Sequence, residues 1–171
     1  SKATKFNATI GIAIENNDPM HLPLVRNLID SSIENKNIFP YASAYGVPEL
    51  RQAWRNKILR QHPNLNANNI STPVVTNAIT HGLALSGSLF LNPGDHVLVP
   101  DKFWGNYRLM WEIERGAILS TFTTFKKDFT GLDLEGFKTS VERLRGNKIF
   151  LVLNFPNNPT GYSPTSYERQ Q

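Results

Sequence analysis

From Thr72 onward, short apolar runs alternate with segments of helical length, and this rhythm constrains the fold more than any other property of the chain. Residues 72–76 form a short β-type run, and residues 78–91 a helical stretch that tolerates Gly82 and Gly87. Asn92-Pro93-Gly94-Asp95 is a turn, 96–100 a buried-type strand, and 104–115 a helix stopped by Gly116. Residues 117–125 read as a third strand. Residues 133–145 read as a helix with Leu134, Phe137, Val141 and Leu144 on one face, and 148–155 as a fourth strand. Ser163 and Pro164 suit the cap and first position of a last helix. The pattern predicts an α/β fold of three layers, α/β/α, around a mainly parallel sheet. Such a sheet takes ligands beyond the carboxyl ends of its strands, so the loops after Thr76, Pro100 and Phe155 are the places to look.

The part before this rhythm is different. Residues 1–23 read as an extended arm with a turn at Asn16-Asn17-Asp18-Pro19. Val25, Leu28, Ile29 and Ile33 predict a helix over 24–38, ending at Phe39-Pro40. A loop with Tyr41 and Tyr45 follows. The next helix begins at Pro48-Glu49, aligns Leu50, Trp54 and Ile58 on one face, and breaks at His62-Pro63. Of the net charge of +4, residues 41–70 contribute four basic side chains against one acidic, a net +3. Arg51, Arg55, Lys57 and Arg60 are expected to form a solvated helix face. They are only a weak pointer to an anionic partner. No interleaving of basic and aromatic residues supports a nucleic-acid partner.

The absence of cysteine among 171 residues excludes disulfide scaffolds, thiolate metal sites and cysteine nucleophiles. No apolar run reaches the ~18 residues a membrane span needs, and the first residues lack the basic-then-apolar layout of a secretory signal. A soluble, cytoplasmic protein is the expectation, with no membrane and no metal.

Three loops carry residues that could do chemistry. Asn77-Ala78-Ile79-Thr80 leads into a helix N-terminus, where free amides and the helix dipole favour an anion and Thr80 adds a hydroxyl. Neither GxGxxG nor GxxxxGK[ST] is present, so dinucleotide and nucleoside triphosphate readings lose their usual support. Simple capping by Asn77 is the alternative. Trp104, after the next strand, can offer a flat face to a planar ligand or anchor its own helix in the core. Asn154-Phe155-Pro156-Asn157-Asn158-Pro159-Thr160-Gly161 is the most specific spelling, since a fixed asparagine there can donate its amide to a ligand oxygen.

Asn-Asn-Pro-Thr-Gly after an apolar strand resembles the hallmark of the class I/II aminotransferases, fold-type-I enzymes that use pyridoxal 5′-phosphate. Other segments agree in order: Tyr41-Ala-Ser-Ala-Tyr-Gly46 followed by Leu50-Arg51, Asn92-Pro-Gly-Asp95 with its strand, Phe103-Trp104-Gly105-Asn106-Tyr107, and Asn7-Ala-Thr-Ile-Gly11. The resemblance spans nearly the whole chain. It implies that residues 1–40 are an N-terminal arm and small-domain segment, and 41–171 the first part of the cofactor-binding large domain. It also implies amino-acid and 2-oxo-acid substrates. Trp104 would stack on the cofactor ring, and Asn158 would bond the ring's phenolic oxygen. Ala78, Ile79 and Thr80 would hold the phosphate. Tyr41 would reach the phosphate of a partner subunit, making the protein a homodimer. Ile10 and Gly11 would lie beside the substrate.

Ala78 departs from a glycine common at that place, and Lys102-Phe103 replaces a more usual proline and small residue. The lysine that carries the cofactor as a Schiff base lies, in the family, well downstream of the Asn-Pro-Thr-Gly loop and has no counterpart here. The chain is therefore expected to be truncated and inactive alone. Lys126, in Thr123-Thr-Phe-Lys126, stands in the wrong part of the order to replace it and reads as part of a solvated turn. A lyase or decarboxylase of the same fold, and a non-catalytic α/β binding module, are the alternatives.

Overall fold

The structure is a computed structural model that describes residues 12–16, 18–29, 34–39 and 41–171. The chain divides into two compact units, Ser1–Val74 and Val75–Gln171.

In the first unit, β1 (Ile14–Glu15) and β2 (Asp18–Pro19) pair antiparallel around the predicted turn, where Asn16 takes φ 50°. The helix predicted over 24–38 is not continuous. α1 (Pro23–Leu28) stops at Ile29, whose ψ of 66° lies outside the helical range, and α2 (Asn35–Ile38) is a separate turn. α3 (Pro48–Gln61) begins on its proline and ends at His62 as expected.

The basic residues of α3 do more than face solvent. The Arg51 guanidinium donates from Nε to the Pro73 carbonyl at 2.6 Å and from Nη2 to the Thr72 carbonyl at 3.3 Å. Arg55 Nη2 donates to the Ala67 carbonyl at 2.6 Å. The Lys57 ammonium sits 4.5 Å from the centre of the Trp54 ring. These contacts also explain why residues 72–76 form no strand, contrary to expectation. Pro73 has no N–H to give a ladder, and the carbonyls of residues 72 and 73 are taken by Arg51.

The second unit is built on a parallel sheet ordered β4-β3-β5. The central strand β3 (His96–Pro100) pairs with β4 (Ile118–Phe122) and β5 (Ile149–Leu151). Both faces of β3 are buried, as a parallel strand requires. Val97 and Val99 join Leu91, Tyr107, Met110, Trp111 and Ala117 on one face, where α4 (Ala78–Phe90) packs. Leu98 joins Phe122 and Leu144 on the other, beneath α5 (Leu134–Arg143). Helices therefore cover the sheet from both sides, the predicted three-layer arrangement. The predicted third and fourth strands are shorter than the apolar runs that suggested them.

The helix predicted over 104–115 starts later and is wound more widely. Arg108–Ile113 is π-helical, and the Glu114 amide donates to the Leu109 carbonyl five residues back. Trp111, fully buried, stacks on Tyr107 with ring centres 4.9 Å apart and donates its indole N–H to the Leu83 carbonyl of α4 at 3.2 Å. Gly87 permits this contact, since a Cβ there would lie 2.6 Å from Trp111 Cδ1.

The predicted last helix is a single 3₁₀ turn, Glu168–Gln170. It is started by Thr165 and not by Ser163. The Glu168 amide donates to Thr165 Oγ1 at 3.2 Å, and the Thr165 amide donates back to the Glu168 carboxylate at 2.7 Å. This is a reciprocal capping box. Its spelling, Thr165-Ser-Tyr-Glu168, was available in the sequence.

Candidate functional site

The loops that leave the carboxyl ends of β3 and β5 lie side by side because their strands are neighbours. The β3 loop carries Trp104. It is half-buried, packed against the core cluster that includes Tyr107 and Trp111, and meets Tyr107 edge-on with ring centres 5.7 Å apart. Leu83 and Ala84 of α4 pack against the same cluster. Trp104 and the first half of α4 thus share one face of the sheet.

The β5 loop is held by Asn157, which is only 4% exposed. Its Nδ2 donates to the Lys102 carbonyl in the β3 loop at 3.3 Å, and its Oδ1 accepts from the Thr160 hydroxyl at 2.7 Å. Asn158, the next residue, is exposed, and its side chain has no hydrogen-bond partner among the described residues. The two adjacent asparagines have opposite roles: one is spent on the loop, and one is open to solvent.

The β4 loop joins the same assembly. Asp101 Oδ1 accepts from the Thr124 hydroxyl at 2.5 Å and from its amide at 3.0 Å, while the Lys102 ammonium pairs with Asp101 Oδ2 at 2.8 Å. Burial alone would raise the Asp101 carboxyl. The Lys102 contact and the two Thr124 donors outweigh it and hold the group below its usual range. The sequence does not reveal the pairing of Asp101 with Thr124, because nothing in their spacing announces a contact between loops 23 residues apart. Lys126 is exposed, with its amide donating to the Gly131 carbonyl in a turn, as expected.

At the start of α4, Asn77 provides no side-chain cap, so capping by Asn77 is excluded. The exposed His81 ring accepts the Asn77 amide at 3.1 Å instead. The amides of Ala78, Ile79 and Thr80 keep the orphan status of a helix's first turn. Ala78 itself takes φ 63°, the left-handed region. The donor set is several backbone amides, one hydroxyl and a positive helix end, which suits a phosphate dianion.

Tyr41 belongs to the other unit, where it is 97% exposed. Ile10 and Gly11 lie outside the described residues.

A cavity of about 530 Å³ opens on the α5 side of the sheet, walled by Phe122, Leu132, Leu134, Phe137, Leu153 and Pro164, and it reaches Pro100, Thr124 and Asn157 of the loops just described. It includes none of Ala78, Ile79, Thr80, Trp104 or Asn158. The carboxylates on its rim are already committed. Asp133 caps α5 by accepting the Gly136 amide, and Glu168 accepts from Leu132, Tyr162 and Thr165. The cavity is mainly apolar and shares the loops after β3 and β5 with the candidate site, but Trp104 and the exposed Asn158 stand outside its lining.

The family model for aminotransferase class I and II matches residues 10–170. The chain belongs to this family. Among curated proteins, it is 35% identical over 129 residues to an aspartate/prephenate aminotransferase of Thermus thermophilus, covering 71% of this chain and 30% of that protein. It is 25% identical over 170 residues to the cytoplasmic aspartate aminotransferase of Saccharomyces cerevisiae, covering 96% of this chain and 40% of that one. The solved structure of the yeast cytoplasmic aspartate aminotransferase superposes with a TM-score of 0.76 at 26% identity, over 98% of this chain and 41% of that one. An aminotransferase from Anaerococcus prevotii superposes with a TM-score of 0.77 at 22% identity over 96% of this chain and 40% of that one, which shows the shared fold. The chain thus spans 30–41% of the length of these aminotransferases. Among the described residues no helix is long and apolar enough to cross a membrane.

Proposed function

We propose that this chain is the N-terminal, cofactor-contacting portion of a pyridoxal-phosphate-dependent aminotransferase, which moves an amino group between an amino acid and a 2-oxo acid. Residues 1–40 would be its arm and small-domain segment, and 41–171 the first part of its large domain. The observation that carries the reading is the pairing of two neighbouring loops, one ending in a supported indole at Trp104 and the other in an open amide at Asn158.

When bound, the cofactor supplies an electron sink for the carbon that loses its proton. The protein's own residues bind and orient. The first-turn amides of α4 and the Thr80 hydroxyl would take the phosphate, and Trp104 would lie against the ring. Asn158 would donate to the ring's phenolic oxygen. Tyr41, held out to solvent, would reach the phosphate in a second copy of the chain, which makes a homodimer the working assembly. Ile10 and Gly11 would line the substrate side. In this reading the lysine that moves the proton would lie outside these residues, and the chain by itself would be inactive. Aspartate, named in several of the relatives, is the first amino donor to assay, and a cytoplasmic setting fits the yeast relative.

In the full-length protein, Trp104→Ala and Asn158→Ala should each weaken retention of pyridoxal 5′-phosphate by about tenfold. They should also slow amino transfer from aspartate to 2-oxoglutarate. Unchanged retention and turnover in both variants would refute the assignment.

A further inference from the structure

We propose that Asn157 is a positioning residue: by bonding the Lys102 carbonyl, it sets where Asn158 stands relative to Trp104. This rests on the cofactor reading given above. Every polar group of Asn157 is engaged. Its Nδ2 reaches outward to Lys102 at 3.3 Å. Its Oδ1 accepts the Thr160 hydroxyl at 2.7 Å and the Thr160 amide at 3.2 Å. Its own amide donates to the Tyr162 carbonyl at 2.8 Å, and its carbonyl accepts from Gly161 at 2.6 Å. Three sides face the loop's own turn and only one faces another strand's loop.

That one bond meets a peptide which is held from its other end as well. The Lys102 amide donates to Thr124 Oγ1 at 3.4 Å, and the same hydroxyl donates to Asp101. The Lys102 peptide is thus gripped by Thr124 at its N–H and by Asn157 at its C=O. Trp104 follows two residues later, and Asn158 follows Asn157 directly. Asn157 is therefore the side-chain link between the backbone that carries the indole and the backbone that carries the open amide. A hydrogen bond from Asn158 to a ring oxygen depends on ångström-scale placement, and Asn157 supplies it without touching the ligand.

The test separates this role from general loop stability. Asn157→Asp keeps an acceptor for Thr160 but turns an oxygen toward the Lys102 carbonyl. Asn157→Ser shortens the reach without adding charge. Equilibrium dialysis of the full-length protein would compare two probes: pyridoxamine 5′-phosphate and the same molecule lacking its phenolic hydroxyl. Both Asn157 variants should bind the first about tenfold more weakly and the second nearly as well as the parent protein does. Asn158→Ala should show the same selectivity, since it removes the contact itself. Equal weakening for both probes overturns the proposal in favour of a structural role. No effect of the Asn157 variants, while Trp104→Ala and Asn158→Ala weaken binding, overturns it with the cofactor reading intact. No effect of any variant overturns both. Should the Asn157 variants unfold, Thr160→Val loosens Asn157 while leaving it in place. It should show the same selectivity at about threefold, and a folded Thr160→Val protein without it overturns the proposal.

Discussion

Ala78 shows how one backbone angle carries a cost. Its φ of 63° is a conformation glycine adopts freely and alanine does not. The penalty is of order 1–2 kcal/mol for an L-residue, and it falls on the first residue of the helix whose amides face the candidate phosphate site. Ala78→Gly should therefore stabilise the protein by about 0.5–1 kcal/mol, after the greater freedom of glycine in the unfolded chain is subtracted. A shift of the urea midpoint to higher concentration checks this, and a fall would show that the angle is not what limits the site. The two asparagines teach the complementary lesson. Residue type and order could single out Asn158, but could not tell that its neighbour Asn157 is buried, because what separates them is the Lys102 carbonyl, supplied 55 residues earlier in the chain.

At the scale of elements, legibility followed the number of partners a segment has. β3, α4 and α5 were readable because local signals decide them: β3 is a continuous apolar run buried on both faces, α4 has helical length and composition, and α5 carries one apolar face. Segment 72–76 had strand composition, but its carbonyls were claimed by Arg51, which no local pattern reveals. The 104–115 stretch had helical spacing, yet it was rewound to seat Trp111 beside Gly87. The C-terminal turn depends on a single carboxylate. Glu168 takes the Leu132 amide at 2.7 Å, the Thr165 amide and hydroxyl, and the Tyr162 hydroxyl, clasping the turn to the loop before α5. The Leu132 donor leads the other contacts in bringing its carboxyl down from 4.5 to about 2. A depressed carboxylate stabilises the fold above its unfolded value and loses that contribution as the group is protonated. The clasp should hold at neutral pH and release as pH falls from about 4.5 toward 2. Glu168→Gln should be less stable at pH 7 and should lose that acid-dependent step. Exchange of the Leu132 amide, followed against pH in both proteins, measures it, and an unchanged pH profile in the variant counts against the clasp.

For the whole molecule, the notable quantity is apolar surface. Leu89 is 75% exposed and Phe129 80%, while Leu50 and Trp54 on α3, like Leu151 and Leu153 at and beyond β5, are also open to solvent. Where such side chains adjoin one another, they mark a face that other protein covers. These 171 residues, purified alone, should bind a hydrophobic dye such as ANS strongly at neutral pH and self-associate as concentration rises. The full-length protein should do neither. Dye fluorescence and sedimentation of the two side by side would settle the matter, and equal dye binding would mean the exposed side chains are a property of the finished surface.

The sheet order carries a consequence in time. The link from Asp101 to Thr124, which joins β3 to β4, spans 23 residues, whereas that from Asp95 to Lys148, which joins β3 to β5, spans 53. Loop-closure entropy makes the longer link costlier by about 0.7 kcal/mol. During synthesis, moreover, β3 and β4 emerge before β5 does. The Asn157–Lys102 bond spans 55 residues and ties the loop after β5 to the loop after β3. The loops that carry Trp104 and Asn158 are brought together by the pairing of β3 with β5, so a ligand that bridges them recognises a chain in which those strands have paired. Cofactor binding would then act as a checkpoint on folding, drawing the population toward finished molecules by mass action.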